Sequence, residues 1–530
     1  MIYVVGSGPA GVSVAAALLE HGQHVTMLDA GRQLEPERQR VVSRLSAQES
    51  EDWAPEDVAT LKEGMAPSVR GIPQKLVYGS DFPYRGVAEF LPTEKCGVDT
   101  ESTFAEGGLS NVWGSAMLSY RADDLVRWPI GLSDLEEHYR AVLSMLDISG
   151  ARDGLADLFP LYAERTRAFE MSSQARMLLQ DMTLHREALQ TAGVLFGQSR
   201  VALRSALDGP PSECAYCGLC MYGCPYNLLY NSSSTLRRLL DNPRFHYIRN
   251  VVVQRVRESG QTVFIEACDA TARNAVHFAG ERVCLACGPF ITTRVLLESL
   301  EAYERPTQLA DSQYFLFPLL RFRRASGASA ERLHTLSQLF LEIVDEEVSR
   351  FTVHMQLYTY NDLYLGAMRK ACGPAFGLLR RPVYAMLERM LIVQGFLHSD
   401  LSPGIEAVLA RPRNGTPGVL VLQKHDRGAA SQQTIRRVLH KIGQQRRHLR
   451  AMPLAMMLQI APPGRSFHSG GSFPMRQTPV AFESDTLGRP WGLHRVHAVD
   501  STVFPCIPAT TITFSVMANA FRIGCGISGL

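Results

Sequence analysis

A chain of 530 residues, 46% apolar and 20% charged, has ample material for a large core and suggests two or three domains. Its 54 Lys and Arg against 52 Asp and Glu leave a net charge of +2, so no electrostatic footprint for nucleic acid or a strongly acidic partner is expected. No apolar stretch reaches bilayer length, so no membrane span is expected, and no internal repeat or low-complexity segment is visible. The first strand opens at Met1 and leaves no room for a leader. The expectation is therefore a cytoplasmic protein whose eleven cysteines are thiols or metal ligands.

In chain order, Met1 to Val5 is an apolar, β-rich run short enough for a buried strand. Gly6-Ser7-Gly8-Pro9-Ala10-Gly11 follows at once, then apolar residues at helical spacing from Val12 to Leu19, then a second strand from His24 to Leu28 ending in Asp29. Strand, glycine turn, helix, strand and acid make a dinucleotide-binding layout. Gly6 serves the tight turn, Gly8 the close approach of backbone to a pyrophosphate, and Gly11 the packing of helix on strand. The helix N-terminus offers free N–H groups and the positive end of its dipole to the phosphates, and Asp29 is placed for ribose hydroxyls. The Asp29-Ala30-Gly31 ending points to FAD rather than to a free nicotinamide.

Residues 32 to 70 are polar and read as helix and loop on a solvated face. Gly107-Gly108-Leu109-Ser110-Asn111-Val112-Trp113-Gly114 is a tight glycine-rich loop against which something flat can lie. Cys214, Cys217, Cys220 and Cys224 follow the C-x2-C-x2-C-x3-C-P spacing of a bacterial ferredoxin run, which suggests a [4Fe–4S] cluster. A zinc site and reduced structural cysteines are the alternatives. Phe245 to Val256 reads as one strand. Arg282 to Gly288 reads as a buried strand ending in glycine, with Cys284 and Cys287 as core residues, followed by a helix from about Thr292 to Leu300. Strands are also expected at Leu339 to Val344, Phe351 to Tyr358, Met390 to Phe396 and Val419 to Leu422. Between them, Gly366 to Leu391 mixes apolar residues with Arg369, Lys370, Arg380 and Arg381. It reads first as an amphipathic insert packed on the sheet, and second as a docking surface for a membrane or an electron-transfer partner. Gln432 to Arg450 reads as a basic, solvated helix.

Taken together, these segments resemble the glucose–methanol–choline (GMC) type FAD-dependent oxidoreductases. The strand Leu285-Ala286-Cys287-Gly288, the Gly107 to Trp113 loop and the Trp128-Pro129-Ile130…Leu135…Tyr139 segment carry part of that resemblance. Phe467-His468-Ser469-Gly470-Gly471-Ser472, Val496 to Pro505 and Ile507 to Ile523 carry the rest. The resemblance implies an α/β fold with a Rossmann-like FAD-binding domain and an antiparallel-sheet substrate domain. The expected boundaries are 1–310 for the FAD domain, with the cysteine run 214–225 inserted, 311–460 for the substrate domain, and 461–530 for a return carrying the catalytic motif. Cofactor contacts are expected from Gly6, Gly8, Gly11, Asp29, Gly31, Gly107, Gly108, Ser110, Asn111, Val253, Gly288, Asp500 and Thr510.

The resemblance also implies that His468 is the base that takes a substrate hydroxyl proton as hydride leaves the carbon. Thr511 stands where the family usually places a second histidine or an asparagine, and it cannot act as a base. Val112 stands where some sugar oxidases attach flavin covalently, so non-covalent FAD is expected. The implied substrate is a small-molecule alcohol, with a sugar, glycoside or polyol favoured by resemblance alone. With a cluster, the enzyme would be a dehydrogenase feeding an electron-carrier protein. The alternatives are an oxygen-using oxidase, a biosynthetic flavoenzyme without net electron export, and a redox-inactive protein with structural FAD.

Overall fold

The computed structural model describes residues 1–64, 74–164, 166–204, 214–412, 417–426 and 430–529. Its nucleotide half is built on a five-stranded parallel sheet in the order Val496–Ala498, Arg282–Leu285, Ile2–Val5, Val25–Leu28, Phe245–Ile248. The inner strands are apolar along nearly their whole length because helices cover both faces of such a sheet. The helix Pro9–Glu20 crosses from the first strand to the second. Pro9 sits in its first turn, where a missing N–H costs nothing, and no side chain caps it. Helix Thr513–Ser528 lies directly on it. A Cβ on Gly524 would stand 2.7 Å from Ala17 Cβ and 3.1 Å from Val14 O, so only glycine permits that approach.

The expected single strand from Phe245 to Val256 is two strands, Phe245–Ile248 and Val251–Ser259, turned apart at Asn250 with φ 60°. The second of these opens an antiparallel meander with Thr262–Asp269 and Ala275–Gly280 that the sequence had not suggested. The helix expected from about Thr292 runs over Pro289–Ser299. A second five-stranded sheet, Ser469–Gly470, Thr307–Asp311, Gly404–Leu409, Leu420–His425 and Thr93–Cys96, ties the two halves together.

The other half is an antiparallel roof, in the order Ala451–Pro453, Tyr314–Arg321, Met390–Phe396, Ser349–Tyr358, Leu339–Asp345, Val194–Gln198. Helix Ala430–Gln444 corrects the expectation of a solvated segment. Arg436 and Arg437 face water and Lys441 pairs with Asp345 of the roof, while Ile435, Val438, Leu439 and Ile442, at helical spacing, are buried with Leu339, Val353 and Leu391. Each such side chain contributes about 1.5–3 kcal/mol of hydrophobic stabilisation. Between the strands Ser349–Tyr358 and Met390–Phe396, the chain leaves the sheet as a helical hairpin, Asp362–Cys372 and Phe376–Leu387.

Candidate active site

The glycine turn has the tight geometry its spacing implies. Gly6 has φ +99°, and a Cβ there would lie 2.7 Å from Ala286 O; one on Gly11 would lie 1.9 Å from Gly6 O. Gly8 and Gly108 face each other, with a Cβ on Gly108 placed 3.1 Å from Gly8 Cα. Behind them opens a cavity lined by Gly6, Ser7, Gly8, Asp29, Ser102, Thr103, Gly108, Val251 to Val253, Ala286 to Gly288, Asp500 and Thr513. Asp29 is buried there, and Oδ2 accepts hydrogen bonds from Ser7 Oγ and from Tyr247 Oη (2.9 Å). Burial pushes its carboxyl up to about 6 against those donors. A glycine-walled slot, an uncapped helix N-terminus and a buried, oriented carboxylate fit a dinucleotide such as FAD.

Several expected contacts stand behind this wall. The backbone N–H of Gly107 donates to Ser7 Oγ (2.9 Å), and a Cβ on Gly31 would meet Tyr247 Oη at 2.7 Å. Ser110 Oγ bonds Gly107 O and Ser232 Oγ, while Asn111 Nδ2 donates to Glu106 O (2.9 Å) and Gly108 O (2.7 Å). Asn231 Nδ2 donates to Asn111 Oδ1 (2.7 Å), and Asn231 also caps the helix Ser232–Leu239. These residues brace the loop and do not line the cavity. Asp500 does line it, but its oxygens accept from Gly288 N (2.9 Å), Thr292 Oγ1 (2.6 Å), Thr502 N (2.9 Å) and Thr502 Oγ1. It holds the Gly288 turn in place. Thr510 is buried with an unpartnered hydroxyl. Cys287, expected in the core, is half-buried and lines the cavity.

His468 is not itself a lining residue, but its chain neighbours Phe467 and Ser469 both line the cavity. Phe467 has φ 57°, so the backbone is strained beside the imidazole. The strand end fixes the loop from both sides: His468 N donates to Ser466 Oγ (3.0 Å), and Ser312 N donates to His468 O (3.0 Å). Buried Asp311 accepts from Ser469 Oγ (2.6 Å). The His468 ring stacks on Phe396 (centroids 5.0 Å), and its Nδ1 is buried without a partner. Burial, with His354 nearby, pushes the imidazole down to about 3, so it is neutral at ordinary pH. Thr511 is tied away: its Oγ1 accepts from Leu118 N (2.9 Å).

The roof adds a group that sequence reading missed. Glu342 and His354 are directly paired across neighbouring strands, both fully buried, with His354 Nδ1 2.6 Å from Glu342 Oε1. Gln356 Nε2 lies 3.2 Å from His354 Nε2, and Tyr358 Oη donates to Gln356 Oε1 (3.0 Å). A carboxylate at one end orders the chain: Tyr358 O–H to Gln356, Gln356 N–H to His354, His354 N–H to Glu342. The Tyr358 end reaches the glycine loop, where a Gly114 Cβ would sit 3.3 Å from its hydroxyl. Phe396 stacks between His354 (6.1 Å) and His468. The signal in the sequence was alternate polar residues, His354, Gln356 and Tyr358, interleaved with Val353, Met355 and Leu357 in a buried strand.

The cysteine run requires a correction. Cys214, Cys217, Cys220 and Cys224 sit within electrostatic reach of one another, but among the described residues no three His, Cys, Asp or Glu side chains form a group that could hold a metal ion. Burial raises the Cys214 thiol and pushes Cys217 up to about 12. The segment instead packs as a loop. Cys217, Leu219, Met221 and Tyr222 join a small core with Val42, Leu45 and Leu61, and Gly223 lies so close to the Tyr78 ring that a Cβ would stand 2.5 Å from it.

No family model matches this chain, and no curated protein matches it in sequence. In three dimensions it has the fold of known flavin-dependent oxidases. It superposes on pyridoxine 4-oxidase from Mesorbium loti with a TM-score of 0.63 at 13% identity, covering 100% of this chain and 99% of the other. It superposes on a variant of the formate oxidase of Aspergillus oryzae RIB40, a structure concerned with FAD modification, with a TM-score of 0.60 at 13% identity, covering 99% and 97%. The α/β architecture expected from the sequence, a Rossmann-like half under an antiparallel roof, is the one observed. No helix among the described residues is long and apolar enough to cross a membrane.

Proposed function

We propose that this chain is a GMC-type, FAD-dependent oxidoreductase that oxidises an alcohol carbon of a small polar molecule, with a sugar, glycoside or polyol as the substrate class. The observation that carries this reading is His468: a neutral imidazole with an unpartnered nitrogen, held between two residues, Phe467 and Ser469, that line a glycine-walled cavity suited to a dinucleotide. Gly6, Gly8, Asp29, Gly108, Val253 and Gly288 hold FAD non-covalently, with Ser110, Asn111 and Asp500 supporting them. Bound FAD supplies the two-electron acceptor for the hydride that leaves the alcohol carbon. The protein supplies the proton acceptor: the hydroxyl proton passes to the His468 imidazole as the carbon becomes a carbonyl. His354, across Phe396, brings from the roof the second histidine that the last loop lacks at Thr511. Glu342 fixes its tautomer.

The electron acceptor is a separate matter. A dehydrogenase coupled through a cluster to a carrier protein rested on the cysteine run, which forms no metal-holding group. The solved relatives are oxidases, so oxygen is the first acceptor to try, and a carrier protein the second. The test of the site is stopped-flow flavin reduction by a panel of sugars and polyols. His468→Ala keeps bound FAD and lowers the reduction rate by roughly 10²–10⁴. Near-parental reduction in that variant overturns the assignment.

A further inference from the structure

The helical hairpin is packed on the roof where Tyr364, Leu365, Met368, Cys372 and Phe376 lie half-buried, but not at its far end. Helix Asp362–Cys372 buries none of its residues fully, and Phe376–Leu387 buries only Val383 and Leu387, which seat it on Tyr358, Tyr360, Met390 and Ile392. The far end of the hairpin is open to solvent and is not polar throughout. Leu378 is 88% exposed and Leu379 40%, beside exposed Ala371, Pro374 and Ala375. Leaving such leucines in water runs against the drive that buried the stripe on helix Ala430–Gln444. That helix is also basic, but its apolar residues face the core while Arg436 and Arg437 face water. In the hairpin, apolar and cationic residues share the free end.

We propose that this hairpin docks the protein reversibly on an anionic lipid surface, without spanning it. Charge selects the occupant. From Leu363 to Leu387 there is no acidic residue, while Arg369, Lys370, Arg380 and Arg381 are all exposed. They stand in pairs on either side of the turn, one pair near the end of the first helix and one near the start of the second. Together they form a basic collar around an apolar apex. Aromatic rings lie beneath two of the cations: Arg369 over Phe376 (5.1 Å) and Arg380 over Tyr384 (5.7 Å). Leucines at the tip, aromatics and cations behind them, and no acid between match the layers of an anionic interface: acyl boundary, headgroups and negative surface potential. A second apolar site adjoins the seat. Ile460, half-exposed, pairs with Phe315 at the edge of the roof next to Leu316, which packs under the hairpin, and Met456, just before it, is 95% exposed.

Flavin-loaded protein is to be sedimented with phosphatidylcholine vesicles, with and without one third phosphatidylglycerol. The expected result is strong binding to the anionic vesicles, release by high salt, and at least about tenfold weaker binding to the neutral ones. Arg369→Ser, Lys370→Ser, Arg380→Ser and Arg381→Ser combined weaken binding by at least about a hundredfold. Leu378→Glu with Leu379→Glu abolishes it. Both variants retain the parent's melting temperature, flavin content and turnover of a water-soluble substrate; Leu378→Ser serves if either fails to fold. Equal, weak binding to both vesicle types overturns the proposal, as does unchanged binding in the variants. Loss of vesicle binding altogether, with the four-base variant slowing reduction of an added carrier protein, also overturns it and assigns the hairpin to that carrier.

Discussion

The Gly6–Gly11 turn and the Cys214–Cys224 run have equally regular spacing, yet only one folds into the device its spacing suggests. The turn is built from backbone. Its geometry follows from what a Cβ would strike, 2.7 Å from Ala286 O at Gly6 and 1.9 Å from Gly6 O at Gly11, and the nearest atoms are backbone, one within the turn and one at the end of the adjacent strand of the same sheet. The cysteine run needs four side chains to converge, and convergence depends on everything packed around them. Here Val42, Leu45, Leu61 and Tyr78 pack against the run and use it as core. Spacing that constrains a backbone is thus stronger evidence than spacing that merely permits a side-chain cluster.

That contrast can be attacked from its strong side first. Gly11→Ala puts a methyl group where no atom fits, and the expected outcome is a protein that purifies without flavin, read from its visible spectrum. Normal flavin content would show that the turn is softer than its geometry implies. Next comes a group set by strand register. Glu342→Gln removes the charge that orients His354, Gln356 and Tyr358, and should cut kcat about tenfold or more with flavin content unchanged, measured by steady-state assay.

A third effect lies in stability. Burial pushes the Asp311 carboxyl up to about 7 from an ordinary 3.8, so the folded chain keeps a proton that the unfolded chain releases. The stability this proton contributes is complete below about pH 4 and is lost as pH rises through about 7. Asp311→Asn should therefore melt higher than the parent at about pH 8, by a few kcal/mol in stability, with the gain gone at about pH 4. The smallest effect tests the weak side of the contrast. Cys214→Ser with Cys217→Ser should cost about 1–2 kcal/mol for hydroxyls in a thiol-lined core and leave flavin and activity in place. Iron analysis of the parent should find less than one atom per chain. Stoichiometric iron, lost in the double variant, would reverse the contrast.

What the sequence made legible follows the same division. The first strand, the turn and its helix, the buried strand Arg282–Leu285 and the three roof strands Leu339–Asp345, Ser349–Tyr358 and Met390–Phe396 could be read because each is declared by a local apolar pattern. The roof strands Tyr314–Arg321, Val194–Gln198 and Ala451–Pro453 were not anticipated. The break at Asn250 could not, since a single residue at positive φ leaves the surrounding valines unchanged. Helix Ala430–Gln444 was misread because its polar and basic residues together outnumber its buried apolar stripe. The Glu342–His354 pair was beyond reach for a different reason: its partners lie on separate strands, and only the register of the roof brings them into contact. Thr511 could be named as a departure from the family pattern, but its bond to Leu118 depends on a loop almost four hundred residues earlier, |i−j| = 393.

The edge strand Val496–Ala498 and the helix Thr513–Ser528 have a consequence for the order of assembly. Synthesis delivers the glycine turn long before these two elements, yet they share one sheet and one helix pair. The growing chain carries a nucleotide sheet lacking an edge and a first helix lacking a partner, and must hold both open until the later elements arrive. Loading of the cofactor is then a late event that closes folding rather than guiding it, and an excess of free flavin should speed the final step of refolding without altering the earlier ones.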